Sequence, residues 1–221
     1  MAAFHPRVED LPDEFPVFPL PGVLLLPRGK LPLRIFEPRY KAMTEDALGQ
    51  GRMFAMIQPD PTVPEGDRGP GLYRIGCLGR VSSFSETDEE HYLITLTGLV
   101  RFAISRELDM RRGYRRVSGD FSAYHNDLDL AAQPIAVERE ALLTALRGYF
   151  TQRRFEANWD AIKRLDDDSL VVTLAMVCPF EPAEKQALLE APGQAERAAA
   201  LLVLLQMGAL APNSPGGHSV S

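Results

Sequence analysis

Along the first half of the chain apolar residues alternate or gather in short runs, and along the second half they recur every three or four positions. The clearest alternation covers 92–104. Tyr92, Ile94, Leu96, Val100, Phe102 and Ile104 share one parity and Thr95, Thr97 and Arg101 the other, with Gly98 at the place for a bulge. A period of two marks a strand with one covered face. The compact apolar run at 23–26, closed by Pro27-Arg28-Gly29, predicts a short strand, and the unbroken apolar run at 53–57 predicts a strand covered on both faces. The stretch 72–81 predicts another strand after a loop, 59–71, too rich in Pro and Gly to be regular, and Val117 and Phe121 belong to a last one. Pro16, Pro19, Pro21, Pro27, Pro32 and Pro38 lack an N–H and confine these strands to short ladders and edges, which suits a small irregular barrel. One helix interrupts this half: Glu37 can accept from first-turn N–H groups, Pro38 takes the first helical position, and Tyr40, Met43 and Ala47 share a face.

The period changes between Asn126 and Pro134. Beyond it, Ile135, Leu142, Leu146, Tyr149 and Phe150 predict one helix, and Phe155, Trp159 and Ile162 a second. A third, 170–177, is apolar nearly all round and is expected to be capped by Asp168 or Ser169 and stopped by Pro179. Pro182 opens a fourth over 183–190, Pro192 and Gly193 break it, and a last one runs over 194–207 with Leu201, Leu202, Leu204 and Leu205 inward. The expected organisation is a flexible N-terminus at 1–14, a β half at 15–125, a helical half at 126–211 and a disordered tail at 212–221. The fold class is α+β.

With 221 residues, 45% of them hydrophobic and 24% charged, the chain can bury a real core. A formal charge of -6 argues against a protein that chiefly binds a nucleic-acid backbone. Its two cysteines, Cys77 and Cys178, lie far apart and suggest buried thiols, not a disulfide scaffold. The N-terminal stretch MAAFHPRVEDLPDEF has acids and prolines where a signal peptide needs a basic start and an apolar run, and no stretch approaches the roughly 18 apolar residues of a membrane span. A cytoplasmic protein without a membrane partner is expected.

The chemistry that most enzymes of this size display is missing from the sequence. No GxxxxGK[ST] loop is present, and Gly76 and Gly79 lie inside a strand pattern. His5, His91, His125 and His218 have no metal-ligand spacing, and Ser82, Ser83 and Ser85 lack a nucleophile elbow. Asp166, Asp167 and Asp168 lack the spacing and the Gly of a calcium loop, and three acids before a helix serve its cap and dipole. Arg111, Arg112, Arg115 and Arg116, around Gly113 and Tyr114, are the densest positive charge, read as a solvated turn or, alternatively, as a nucleic-acid contact. Neither a metal nor a cofactor is implied.

The run FPVFPLPGVLLLP (15–27) followed by KLPLRIFEPRY (30–40) resembles the opening of the Lon N-terminal, substrate-binding domain family in its free-standing bacterial form. Gly76 with Cys77, the strand LTGLVRFAI (96–104) and the passage SLVVTLAMVCPFEPAEKQALLEA (169–191), which closes in Lys-Gln-x-Leu-Leu-Glu, extend the resemblance over nearly all of the chain. It implies a PUA-like β pseudobarrel followed by a C-terminal α-helical bundle, with Leu31, Leu33, Ile35 and Phe36 filling the barrel. Glu181 departs from the pattern, because Ser, Asp or Thr is the better cap. In full-length Lon such a domain precedes an ATPase and a Ser-Lys peptidase, whose residues are not expected in this chain. The implied function is non-catalytic capture of unfolded or tagged polypeptides, with a separate ATP-dependent protease as the recipient and Phe36, Arg39 and Tyr40 as candidate contacts. The alternative is an RNA-associated PUA-like protein using Arg111, Arg112, Arg115 and Arg116, a reading by fold analogy.

Overall fold

The computed structural model describes residues 6–89, 91–129 and 137–210. The loose termini expected at 1–5 and 212–221, with His5 and His218, and the helical position Ile135 lie outside the described residues. Six strands carry the β half: β1 (Glu14–Pro19), β2 (Lys30–Ile35), β3 (Met53–Ile57), β4 (Ile75–Glu86), β5 (Tyr92–Arg111) and β6 (Tyr114–Asp120). They pair in the order β2-β5-β4-β3-β1-β6, and a further β5–β6 pairing closes five of them into a near-barrel ring with β2 on its outside edge. β1 and β3 run parallel, and the remaining pairs are antiparallel.

Closure depends on the length of β5. Its first part, 92–97, lies between β2 and β4, and its last part, 103–111, pairs with β6. The strand therefore runs seven residues beyond the 92–104 alternation, to Arg111. The register slips beside Gly98, where Leu78 pairs with Val100 but Gly79 with Gly98. At Gly98 a Cβ would stand 2.0 Å from the Leu26 carbonyl oxygen, so only glycine fits there. The returning turn into β6 is Arg112-Gly113, both at positive φ (46° and 85°), as a two-residue hairpin of matching twist requires. Phe15, Val17, Ile57, Leu78, Phe102 and Val117 fill the ring, with Phe15 edge-on to Phe102 at 4.8 Å.

The 23–26 run corrects the sequence reading, being buried but not a strand: Leu24, Leu25 and Leu26 are at most 2% exposed. Its neighbours turn the chain instead, through Gly22 at φ +71° and a Gly29 N–H bond to Leu26 O, and the segment ties to Gly98 through Arg28 N–H and Gly29 O. A second correction concerns Phe36, which does not fill the barrel. Ile35 takes the inward position and Phe36, the next residue, is 60% exposed. Helix α1 (Pro38–Gly49) starts with Pro38 as expected, but the Glu37 carboxylate pairs with Arg39 (2.9 Å) and makes no cap bond.

The remaining helices are α2 (Arg139–Arg153), α3 (Trp159–Arg164), α4 (Asp167–Val177), α5 (Pro182–Glu190) and α6 (Gln194–Leu210). The chain forms two compact units, Met1–Gln133 with Ala175–Glu190 and Pro134–Leu174 with Ala191–Ser221. The helical half expected at 126–211 thus lends α5 and the end of α4 to the β unit. In the helical unit, α2 packs on α6, and a Cβ on Gly208 would meet the Tyr149 ring at 2.4 Å. Asn158 caps α3 through Ala161 N–H, and Asp166, not Asp168 or Ser169, caps α4 by accepting from Ser169 N–H at 2.8 Å. Phe155 follows the end of α2 and packs edge-on to Phe150, outside the short α3. At α5, Glu184 reaches back to accept from Glu181 N–H (2.8 Å), so the reciprocal half of a capping box supports the unusual Glu181.

Candidate functional site

The end of β2 delivers a large aromatic side chain to the surface, and α1 begins two residues later. Together with the loop before β5 and the β5–β6 turn they line an open groove of about 420 Å³. Its apolar lining is Phe36, Pro38 and Ala42, and its polar lining is Lys41, Glu45, Glu89, His91 and Arg112. The Phe36 ring lies 5.9 Å from His91. Arg34 donates to Glu89 at 2.6 Å and to His91 Nδ1 at 3.1 Å, fixing that loop. Arg112 donates to Glu45 (2.8 Å) and Asp46 (2.9 Å), and the Tyr92 hydroxyl donates to Glu45 (3.0 Å). The Arg112 and Tyr92 bonds hold the Glu45 carboxyl below its usual pKa. Lys41 extends over the Tyr92 ring, 5.0 Å from its centroid.

Of the residues expected to contact a polypeptide, only Phe36 lines this groove. Tyr40 is 6% exposed and stacks at 4.1 Å on Phe18, and burial pushes its pKa up. Arg39 lies across that ring at 4.5 Å, so both residues pin α1 to the β unit. The arginine cluster is engaged throughout with carboxylates: Arg111 with Asp46 (3.3 Å), Arg112 with Glu45, Arg115 with Glu107 (2.8 Å) and Arg116 with Glu14 (2.8 Å). Arg115 is buried as well, and donates to Pro70 O. Tyr114, within the cluster, gives its hydroxyl to Asp46 at 2.7 Å, and burial together with that carboxylate pushes its pKa up to about 12. Ser82 bonds Thr95 O and accepts from Thr97 at the exposed end of β4. Cys77 and Cys178 are both buried thiols outside any disulfide. Among the described residues no group of three His, Cys, Asp or Glu side chains is placed to hold a metal ion.

The sequence reading missed a polar seam where α5 docks on the β ring. Arg101 is 4% exposed and forms a two-pronged pair with Asp127 (2.8 Å through both Nε and Nη2), while Nη1 donates to Leu189 O at the end of α5. Burial alone would lower its pKa, but Asp127 outweighs burial and raises it. Tyr124 stacks under the guanidinium at 4.6 Å. Gln186 donates to Ile75 O (3.1 Å) and accepts from Gln58, which also holds Pro182 O and Gly22 N–H. Lys185, 6% exposed, donates to Gly22 O (2.8 Å) and to Met176 O in the last turn of α4 (3.2 Å), and burial lowers its pKa. The adjacent polar pair Lys185-Gln186, just ahead of Leu188 and Leu189 in this mixed helix, was the signal available beforehand, because buried polar side chains need partners.

These parts define a class: an α+β module in which a near-barrel β ring is followed by C-terminal helices. The family profile described as "ATP-dependent protease La (LON) substrate-binding domain" matches residues 14–207, and the chain belongs to that family. Over 203 residues it is 24% identical to "Lon protease 2" of Thermus thermophilus, an alignment covering 89% of this chain and 24% of that protein. It is 26% identical over 96 residues to "Lon protease 2" of Myxococcus xanthus, covering 43% of this chain and 12% of the relative. The chain thus spans a quarter or less of the curated relatives it matches. In fold it is similar to the solved "Lon N-terminal domain protein from Xanthomonas campestris", with a TM-score of 0.58 at 21% identity, covering 86% of this chain and 97% of that one. No helix among the described residues is long and apolar enough to cross a membrane.

Proposed function

We propose that this chain recognises unfolded or tagged polypeptides by seating an apolar side chain against Phe36, and that it serves protein quality control by binding, without making or breaking a bond. A separate ATP-dependent protease is the recipient we envisage. The observation that carries this reading is the 60% exposure of Phe36 in a groove whose lining is otherwise mostly polar. An aromatic ring left in water beside polar walls gains by being covered. Covering it contributes about 1–2 kcal/mol, a weak and reversible grip suited to releasing a client. Membership of a substrate-binding domain family supports the same reading. The nucleic-acid alternative draws no support from Arg111, Arg112, Arg115 and Arg116, whose charge is matched by carboxylates.

The test compares one client in two states, a reduced and alkylated, permanently unfolded protein and its native form, titrated against the purified chain by fluorescence anisotropy. Binding of the unfolded form alone, weakened by Phe36→Ser, is the expected outcome. Equal binding of both forms, or none, removes the proposal.

A further inference from the structure

The charges around the groove are not evenly matched. Both carboxylates in its described lining are paired with an arginine: Glu45 with Arg112 and Glu89 with Arg34. Lys41 is different. Among the described residues it has no carboxylate within 4 Å, and its ammonium lies over the Tyr92 ring instead. Among the described residues the groove therefore presents one ammonium without a carboxylate partner beside one exposed aromatic ring.

We infer that the segment preferred here carries an acidic side chain beside a bulky apolar one, Lys41 pairing with the carboxylate and Phe36 covering the apolar group. This rests on the polypeptide-binding reading above and narrows it to a substrate class. A basic client residue would find both carboxylates of the described lining already paired, whereas an acidic one would pair with Lys41, which has no carboxylate partner among these residues. The source of the carboxylate is a side chain within an extended segment. A chain-end carboxylate is held elsewhere by a nest of several backbone N–H donors, and the groove offers a single flexible ammonium. Lys41 is half-buried on α1 and lines the groove rather than the core, so changing it alters recognition with little effect on the core.

The experiment uses the full chain and two labelled, unstructured peptides of equal length with amidated C-termini, one with Phe flanked by Asp and the other with Phe flanked by Lys. Anisotropy is expected to show the Asp peptide binding about threefold to fivefold more tightly, the worth of one exposed pair. Added salt shrinks that ratio. Lys41→Glu reverses the order, Lys41→Gln abolishes the preference, and Lys41→Arg keeps it, with circular dichroism confirming that each variant is folded. Equal affinities for the two peptides, or an unchanged ratio in Lys41→Glu, overturn the inference. So does tight binding that returns only with a free C-terminal carboxylate, or displacement of the Asp peptide by a short RNA as readily as by unlabelled peptide. If both peptides bind, depend on Phe36 and show no charge preference, only this inference falls. If neither binds, the polypeptide-binding reading falls with it.

Discussion

The seam under α5 and the groove along α1 solve opposite problems. At the seam, polar groups are removed from water and each is answered: Arg101 by Asp127 and Leu189 O, Gln186 by Ile75 O and Gln58, Lys185 by two carbonyls. At the groove an aromatic ring stays in water and, among the described residues, one cation has no carboxylate partner. A surface whose requirements are all met within the chain has nothing further to gain from a ligand. One whose requirements are left unmet does, and the contrast separates residues that hold this fold from those available to bind.

The comparison can be broken at its strongest point first. Arg101→Ala leaves the Asp127 carboxylate with only the backbone N–H of residue 101 and no counter-charge, and the Leu189 carbonyl without the guanidinium, and is expected to cost about 3–5 kcal/mol in urea denaturation. A loss below 1 kcal/mol would show that the seam is wet and the matching immaterial. Gln186→Leu removes the bonds to Ile75 O and Gln58 and is expected to cost about 1–3 kcal/mol, with no change in peptide affinity.

A smaller effect should follow pH. Burial lowers the Lys185 pKa below its ordinary 10.5. Between the lowered value and 10.5 the unfolded chain holds more protons at this position, so its contribution to stability rises with pH across that window. Tyr114 acts in the opposite sense: with its pKa at about 12 against 10.0 unfolded, its contribution falls as pH climbs above 10. The difference in urea midpoint between wild type and Lys185→Met, followed from pH 8 to 10, isolates the lysine, and a flat difference would refute its buried, desolvated state. Phe36→Ser sharpens the contrast from the other side. It is expected to shift stability by no more than about 0.5 kcal/mol while weakening capture of unfolded protein, and a loss of several kcal/mol would make Phe36 a structural residue after all.

Much of the β unit was legible beforehand because strand periodicity is local. The 53–57 run is β3 residue for residue, the 92–104 alternation is the first part of β5, and Gly98 marks its register shift. Helix punctuation was legible for the same reason at Pro38 and Pro182. Reading failed where a distant part of the chain decides the outcome. The apolar run at 23–26 carries every mark of a strand, yet the chain turns straight after it, and Arg28 and Gly29 bond to Gly98, about 70 residues away. The candidate site was half legible: Phe36 was found by its place in a motif, but nothing local distinguishes it from Tyr40, four residues on, which the fold buries.

The amino-acid order by itself determined most of the stretches that become strands or helices, the helix starts at Pro38 and Pro182, and that the two kinds segregate along the chain, since those choices turn on φ preferences, N–H donors and apolar spacing within a few residues. Only the tertiary structure decided which face of each element is closed. The β5–β6 pairing shuts the ring, Arg101 meets Asp127 inside the unit and Phe36 stays in water, because burial is a property of what the rest of the chain brings alongside a residue and not of the residue itself.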